Sequence, residues 1–194
     1  GSAGCVLAAR LSEAPERRVL LLEAGPPPAN RYERAPGAAQ RLWDCELDWG
    51  FRSEPQAALD GRRIQLPRGR TLGGSSALNF CVYIRGNRGD YDHWAQLGNR
   101  GWGYDDVLPY FRRAERNTVH ADAWHGTEGP LHVGPFADPH PLHEAYFEAL
   151  ESLGVPRNPD FNGERQEGCG FYQATVSGGR RHSLADAHLA EARG

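Results

Sequence analysis

Residues 1–25 read GSAGCVLAARLSEAPERRVLLLEAG, and this stretch decides the fold of the chain. Apolar side chains recur at helical spacing in residues 3–11, and a stop signal follows at residues 12–15. The continuous apolar run at residues 19–22 is typical of a strand that is covered on both faces of a parallel sheet. A helix followed by such a strand is half of a βαβ unit. We therefore predict an α/β fold, a partial Rossmann-type fold whose first strand would precede Gly1.

The first four residues match the end of a phosphate-binding fingerprint. Gly1, Ser2, Ala3 and Gly4 fit the last four positions of G-x-G-x-x-G, in which small residues let the backbone approach a pyrophosphate at a helix N-terminus. Helix starts that contain glycine but bind nothing have the same appearance, so these residues alone leave both interpretations open. Glu23 favours the nucleotide, because an acidic side chain at this strand end can accept hydrogen bonds from both ribose hydroxyls. It also argues against NADP, whose additional phosphate would meet a like charge.

A glycine- and serine-rich turn is the second candidate site. Residues 69–79 read GRTLGGSSALN. Such a turn offers backbone N–H groups and hydroxyls to an anion or to a planar polar ring. An ordinary tight turn without a ligand has the same composition, so the turn alone does not establish a binding site.

The pattern around this turn is longer and more specific than the turn itself. Residues 66–79, followed by residues 82–86 and by Asp90 and Tyr91, resemble the first signature of the glucose-methanol-choline (GMC) oxidoreductases. The resemblance covers nearly the whole chain, but only the N-terminal portion of a GMC protein. Further matches lie at residues 48–51, 101–111, 129–131, 162–163 and 178–183.

The resemblance implies an FAD site built from both stretches. Residues 1–4 would hold the FAD pyrophosphate, and Glu23 would hold the adenosine ribose. Thr71, Gly74 and Ser75 would line the pyrophosphate and the ribityl chain. A backbone amide of the following segment could tune the flavin ring. The residues that would pass beside the isoalloxazine ring are Asn79, Phe80, Cys81 and Val82.

The resemblance also implies that the FAD is dissociable. In some relatives a histidine on the approach to this loop is covalently bonded to the flavin, whereas the corresponding position here is Leu66. We therefore predict FAD that is held noncovalently.

The reaction that the resemblance implies is the oxidation of a small alcohol. A base removes the hydroxyl proton, hydride passes from the α-carbon to the flavin, and oxygen or an electron carrier reoxidises the flavin. The base is normally a histidine, paired with a second histidine or an asparagine, in the C-terminal part of the family's chain, and none of the eight histidines here matches that motif. We therefore expect no catalytic residue in this chain. Choline is the leading substrate, because residues 66–86 and 162–183 look most like choline dehydrogenases.

The chain is predicted to contain one partial domain and the start of another. We place a partial FAD-binding domain at residues 1–130 and the beginning of a substrate-binding domain at residues 131–194, because Gly and Pro at residues 126–130 mark a boundary. The sequence has no Met, which indicates a piece of a longer protein. The isolated piece is expected to bind FAD poorly and to show no catalytic turnover.

Residues 26–60 are predicted to form a long, partly irregular segment.

Local patterns predict several shorter elements. Apolar spacing indicates helices around residues 91–97, 107–114 and 142–153. Residues 131–133 and 171–176 have the pattern of strands. A last helix is predicted after Ser183, with Asp186 completing a capping box.

Composition and spacing exclude several other classes. A net charge of −3 without a basic face argues against a nucleic-acid partner, and no apolar run is long enough to predict a transmembrane segment. The four cysteines are far apart, which indicates reduced thiols. His140, His143 and Glu144 share helical spacing but lack a third partner at a fixed offset, so we expect no metal site.

Two other functional classes remain open at the level of sequence. A nicotinamide-dependent dehydrogenase would explain residues 1–4 and Glu23, but it leaves residues 73–79 without a role. A non-redox lyase, or a catalytically silent FAD-binding member of the family, would keep both motifs and lack the distant histidine pair.

Overall fold

The computed structural model describes residues 1–26 and 32–190. Residues 27–31 of the predicted irregular segment lie outside this part. Helices are α1 (Ser2–Ser12), α2 (Arg88–Gln96), α3 (Tyr104–Ala114), α4 (Leu142–Ser152) and α5 (Leu184–His188), with 3-10 turns at Pro36–Leu42, Ala57–Leu59 and Gly74–Ala77. Strands are β1 (Phe51–Arg52), β2 (Gln65–Leu66), β3 (Val82–Tyr83), β4 (Glu115–Asn117), β5 (Leu131–Val133), β6 (Gln173–Ala174), β7 (Val176–Ser177) and β8 (Arg180–Arg181).

The chain folds into two compact units. One consists of Gly1–Cys81 together with the chain from Gly178 onward, and the other is Val82–Ser177. The predicted domain boundary at residue 130 lies inside the second unit. There β5, directly after this boundary, pairs with β4, which lies before it in the chain.

The first unit is built around α1, the helix that the opening residues predict. It begins after Gly1, ends at Ser12 and buries Cys5, which confirms the predicted helix. It packs against α5 and against the 3-10 turn Gly74–Ala77. The glycine-rich turn and the C-terminal helix α5 therefore both contact α1, the helix that carries the fingerprint.

The predicted strand at residues 19–22 is not part of a sheet in the structure. Leu21 packs toward α1, where its Cδ1 would lie 3.6 Å from a Cβ on Gly4. Leu20 and Leu22 are 82% and 81% exposed. A strand gains its hydrogen bonds from a neighbour, and the described residues of this unit pair no strand with this segment.

A small apolar core includes the C-terminal end of the glycine-rich turn. Leu42, Leu47, Ala77 and Leu78 are buried together, with Tyr32 and Cys45 partly buried against them. The β1 and β2 strands pair antiparallel, with Phe51 opposite Leu66. The turn is therefore anchored at its C-terminal end by buried side chains.

The C-terminal helix of the first unit has the predicted cap. Ser183 accepts a hydrogen bond from the Asp186 backbone, and the Asp186 carboxylate accepts one from the Ser183 backbone. This reciprocal arrangement confirms the predicted capping box.

The second unit contains the three other predicted helices. Helices α2, α3 and α4 lie where the apolar spacing predicts them, and Pro109 is accommodated inside α3. Gly154, two residues beyond the end of α4, has a φ of +85°, as a glycine just after a helix commonly does.

The second unit also contains short paired strands. β4 and β5 are parallel, and β3 pairs antiparallel with β6. The predicted strand at residues 131–133 is confirmed, whereas the predicted strand at residues 171–176 is divided into β6 and β7 by Thr175.

The four cysteines are free thiols, and three of them are buried, as predicted. Among the described residues, no helix combines the length and the apolar character that crossing a bilayer requires.

Candidate functional site

The opening residues and the glycine-rich turn meet in the first unit at backbone distance. A Cβ on Gly74 would lie 2.5 Å from the Gly1 Cα and 2.9 Å from the Ser2 backbone nitrogen. Gly74 also has a φ of +55°, a conformation that favours glycine. Both the space and the backbone angle therefore require glycine at this position.

Hydrogen bonds of Ser2 fix this contact. Its hydroxyl donates to the Gly73 carbonyl at 2.8 Å and accepts from the Ser76 backbone N–H at 3.2 Å. The Ser76 hydroxyl donates to the same Gly73 carbonyl at 2.7 Å. The start of α1 and the glycine-rich turn are thus locked in one arrangement, although about 70 residues separate them in sequence.

Glu23 lies at the same end of α1. One carboxylate oxygen is 3.5 Å from the Gly1 nitrogen, and the other accepts hydrogen bonds from the backbone N–H groups of Ala24 and Gly25 at 2.9 and 3.1 Å. A Cβ on Gly25 would overlap the Arg70 carbonyl. The segment that carries Glu23 is therefore packed against the chain that enters the glycine-rich turn.

The N-terminus of α1 is open and suited to an anion. The first hydrogen bond of the helix runs from the Cys5 N–H to the Gly1 carbonyl, so the preceding N–H groups have no partner within the helix. Apart from Gly1 and its chain neighbour, no described residue has an atom within 4 Å of a Cβ position on Gly1, and Ala3 is exposed. Partial positive charge at such a helix end stabilises a bound phosphate.

Thr71 and Ser75 occupy different places in the turn. Thr71 is fully buried, and its hydroxyl donates to the Pro26 carbonyl at 3.0 Å. Ser75 is exposed, and its hydroxyl accepts from the Gly69 N–H at 3.1 Å. Thr71 therefore holds the turn in place with its side chain, and neither its side chain nor its backbone is exposed.

Residues 79–81 follow the turn in a constrained conformation. Cys81 is completely buried and has a φ of +62°, which is unfavourable for a residue with a Cβ. The Asn79 side-chain oxygen accepts from the Cys81 N–H at 3.0 Å. Phe80 is 49% exposed and packs edge-on against Trp43. Val82, the last of the predicted site residues, belongs to the second unit, where it lies opposite Ala174.

A buried arginine behind this segment was not predicted. Arg181 on β8 is 5% exposed and donates to the Asn79 side-chain oxygen at 2.7 Å. Its position lies within residues 178–183, which match the family pattern. That match is the one signal in the sequence that could have pointed to it.

A second cluster missed by the sequence is a buried network of charges in the second unit. Glu115 is fully buried, and its Oε1 accepts from Arg85 at 2.8 Å, from His125 at 3.0 Å and from the Gly126 N–H at 2.9 Å. The other ring nitrogen of His125 lies 2.9 Å from Asp160. Arg85 and His125 therefore share the Glu115 carboxylate, and His125 has Asp160 as a second carboxylate partner.

His125 carries a positive charge in this network. Burial opposes that charge, but the hydrogen bonds to Asp160 and Glu115 outweigh it and raise the pKa of His125 to about 9. The Asn117 amide nitrogen also lies 3.0 Å from the His125 Nδ1. The amide nitrogen could donate to Nδ1 only if Nδ1 carried no proton. A carboxylate interacts with the ring more strongly than this neutral amide does, so both ring nitrogens are protonated and donate to carboxylates.

The described residues contain one group that could in principle hold a metal ion. Donor atoms of His120, Asp122 and Asp160 lie within 4.8 Å of one another. Asp160 already accepts a hydrogen bond from the charged His125, and a cation would have to compete with this contact. His140, which sequence spacing places beside His143, instead accepts from the Leu142 backbone.

Comparisons with known proteins show the family and the fold class of the chain. A family model described as GMC oxidoreductase matches residues 1–194. The mitochondrial choline dehydrogenase of Mus musculus is 46% identical, over 97% of this chain and 33% of that protein. The oxygen-dependent choline dehydrogenase of Rhizobium johnstonii is 44% identical, over 97% of this chain and 35% of that protein. The chain thus spans about a third of the length of these relatives.

Solved structures confirm the predicted fold class. The crystal structure of pyridoxine 4-oxidase from Mesorbium loti matches the whole chain and 39% of its own chain, with a TM-score of 0.95 and 42% identity. An FAD-dependent oxidoreductase from Chaetomium thermophilum matches 98% of this chain and 35% of its own chain, with a TM-score of 0.88 and 30% identity. The fold is therefore the partial α/β fold of this group, and the chain belongs to the GMC oxidoreductase family.

Proposed function

We propose that this chain holds FAD in a flavin-dependent oxidoreductase that acts on small alcohols. The observation that carries the proposal is the convergence of three separated segments, the start of α1, Glu23 and residues 71–76, within the first unit. A nicotinamide enzyme would leave the third segment without a ligand. The flavoproteins among the structural neighbours favour FAD over that alternative.

The residues present fit the parts of FAD in order. The open N-terminus of α1 suits the pyrophosphate, and the oriented Glu23 carboxylate suits the ribose hydroxyls. The exposed Ser75, Asn79 and Phe80 would continue toward the flavin ring, whereas Cys81 is completely buried. When bound, FAD supplies the chemistry by accepting hydride from the alcohol carbon, while the hydroxyl proton goes to a base and a carbonyl product leaves.

We propose that the FAD is held noncovalently. The first histidine of the chain is His93, so residues 1–92 contain no imidazole that could bond to the flavin. Cys81, the thiol of residues 79–81, is completely buried and held in place by its backbone. These residues can position the ring without forming a bond to it.

Choline is the substrate that we place first. The choline dehydrogenases of mouse and Rhizobium johnstonii are 46% and 44% identical to this chain. Pyridoxine 4-oxidase, at 42% identity, makes other alcohols with a cationic or aromatic group the next candidates. The proposed electron acceptor is either oxygen or an electron carrier. Oxygen is included because one relative is named as oxygen-dependent.

Alcohol-dependent bleaching of the bound flavin tests this function. The protein is produced with its flanking coding sequence and mixed with choline without oxygen. We expect loss of the oxidised-flavin absorbance with choline, and none with ethyltrimethylammonium, which has the same cationic group but no hydroxyl. Bound flavin that no primary alcohol bleaches would indicate the silent or lyase alternative instead.

A further inference from the structure

A buried guanidinium connects the C-terminal part of the first unit to the proposed flavin site. The Arg181 Nε donates to the Glu33 carbonyl at 2.8 Å, and its Nη1 donates to the Asn79 side-chain oxygen at 2.7 Å. A weaker hydrogen bond, at 3.3 Å, runs from Nη1 to the Ser76 carbonyl. These bonds go to neutral oxygens, so the side chain acts here as a rigid fork that holds three chain segments together.

Arg181 acts on Cys81 through Asn79. The Asn79 side-chain oxygen accepts from both Arg181 and the Cys81 N–H. Cys81 needs this support, because its φ of +62° costs about 1–2 kcal/mol for a residue with a Cβ. Fixing the Asn79 amide therefore fixes the backbone of residues 79–81.

The guanidinium also retains hydrogen-bonding capacity. Its Nη2 is buried and makes no hydrogen bond to any described part of the chain. Burial lowers the pKa of Arg181, and the negative charge of Glu33 acts against that lowering. An arginine keeps its proton at neutral pH, so a positive charge is held directly behind residues 79–81.

We propose that Arg181 is a positioning residue for the flavin, which fixes residues 79–81 through Asn79 and places a positive charge behind them. The inference rests on the proposed function, because residues 79–81 face the ring only if this site holds FAD. A nearby positive charge favours the reduced and more negative form of the cofactor over the oxidised form.

Two conservative substitutions separate position from charge. Arg181→Lys keeps the charge but removes the fork, whereas Asn79→Asp keeps an acceptor oxygen for both donors and cancels the charge. Arg180→Lys is the matched control, since Arg180 is the exposed neighbour on the same strand. The readouts are hydrogen exchange at the Cys81 amide, the Kd for FAD and the flavin reduction potential, all in the protein produced with its flanking sequence.

Each variant has a distinct expected result. Arg181→Lys is expected to speed exchange at the Cys81 amide and to weaken FAD binding, each about tenfold, as losing a hydrogen bond to a charged group does. Asn79→Asp is expected to leave that exchange unchanged and to lower the preference for reduced over oxidised flavin about tenfold. For a two-electron couple this equals a potential about 30 mV lower. Arg180→Lys is expected to change none of the three.

Several outcomes would overturn the inference. One is an Arg181→Lys variant that behaves as the Arg180→Lys control does. Another is faster exchange at Cys81 that is no greater than the increase at Leu78, whose N–H is bonded to the Ser75 carbonyl, because this would show a structural role alone. An unchanged potential in Asn79→Asp would remove the role of the charge.

The test remains decisive if one step fails. If Arg181→Lys does not fold, Asn79→Ala at an exposed position tests the second step of the link, from Asn79 to Cys81, and unchanged exchange at Cys81 would contradict that step. If the unsubstituted protein binds no flavin, the proposed function fails, whereas the exchange comparison still decides whether Arg181 positions residues 79–81.

Discussion

Replacing Glu115 with alanine is expected to destabilise the protein by about 3–5 kcal/mol, because it leaves two buried cationic groups without their shared carboxylate. Arg85 and His125 both donate to Glu115 Oε1, and the side chains of Glu115 and Arg85 are 0% and 3% exposed. Neither cation can reach water without opening the second unit. Urea unfolding, followed by tryptophan fluorescence, measures the loss.

The matched control is an ion pair on the surface of the same unit. Arg88 pairs with Asp105, whose side chain is 80% exposed. Asp105→Ala is expected to cost less than about 1 kcal/mol, as exposed pairs do. If Glu115→Ala costs no more than this control, the buried network does not stabilise the second unit.

The pH dependence of stability provides a second readout of the same network. Because the pKa of His125 is raised to about 9 from an ordinary value of 6.5, its contribution is fully present below pH 6.5 and is lost as the pH rises through 9. The full contribution corresponds to about 3 kcal/mol. Glu115→Ala removes one of the two carboxylates that raise this pKa, so the decline between these pH values is expected to become smaller.

Gly74→Ala is expected to weaken FAD binding by about 100-fold or more, equal to about 2.7 kcal/mol. The new Cβ would lie 2.5 Å from the Gly1 Cα, and both groups belong to the backbone, so neither can rotate away. The start of α1 and the glycine-rich turn must separate, which displaces the open helix N-terminus from the turn. Titration with FAD, followed by flavin fluorescence, measures the effect.

Gly178→Ala separates the backbone angle from the close contact. Gly178 has the same φ of +55°, but beyond its chain neighbours the described part of the chain has no atom within 4 Å of its Cβ position. Its replacement is expected to cost only about 1–2 kcal/mol of stability and to leave the Kd for FAD unchanged. Equal effects of the two substitutions on FAD binding would show that the approach of Gly74 to Gly1 does not form the site.

The helices could be predicted because a helix satisfies its own backbone within one segment. α1 and α4 follow directly from apolar spacing and from nearby stop signals. The segment at residues 19–22 has an equally clear apolar pattern, but a strand depends on a partner elsewhere in the chain. The same dependence explains why the predicted strand at residues 171–176 is divided at Thr175.

The glycine contacts of the site could be predicted, whereas its buried charges could not. Glycine motifs report a local backbone requirement, and they correctly bring the start of α1, Glu23 and the glycine-rich turn together. Arginine, glutamate and histidine are mostly exposed in proteins, so nothing local distinguishes Arg181 from its exposed neighbour Arg180. The partner that decides its burial, Asn79, is 102 residues away.

The identity and amount of the bound cofactor test the account most directly. The protein is purified with its flanking coding sequence, precipitated with acid, and the supernatant is analysed by liquid chromatography against FAD, FMN and NAD standards. We predict one FAD for each chain, released completely into the supernatant. A preparation without flavin, or one that releases a nicotinamide nucleotide instead, would contradict the account.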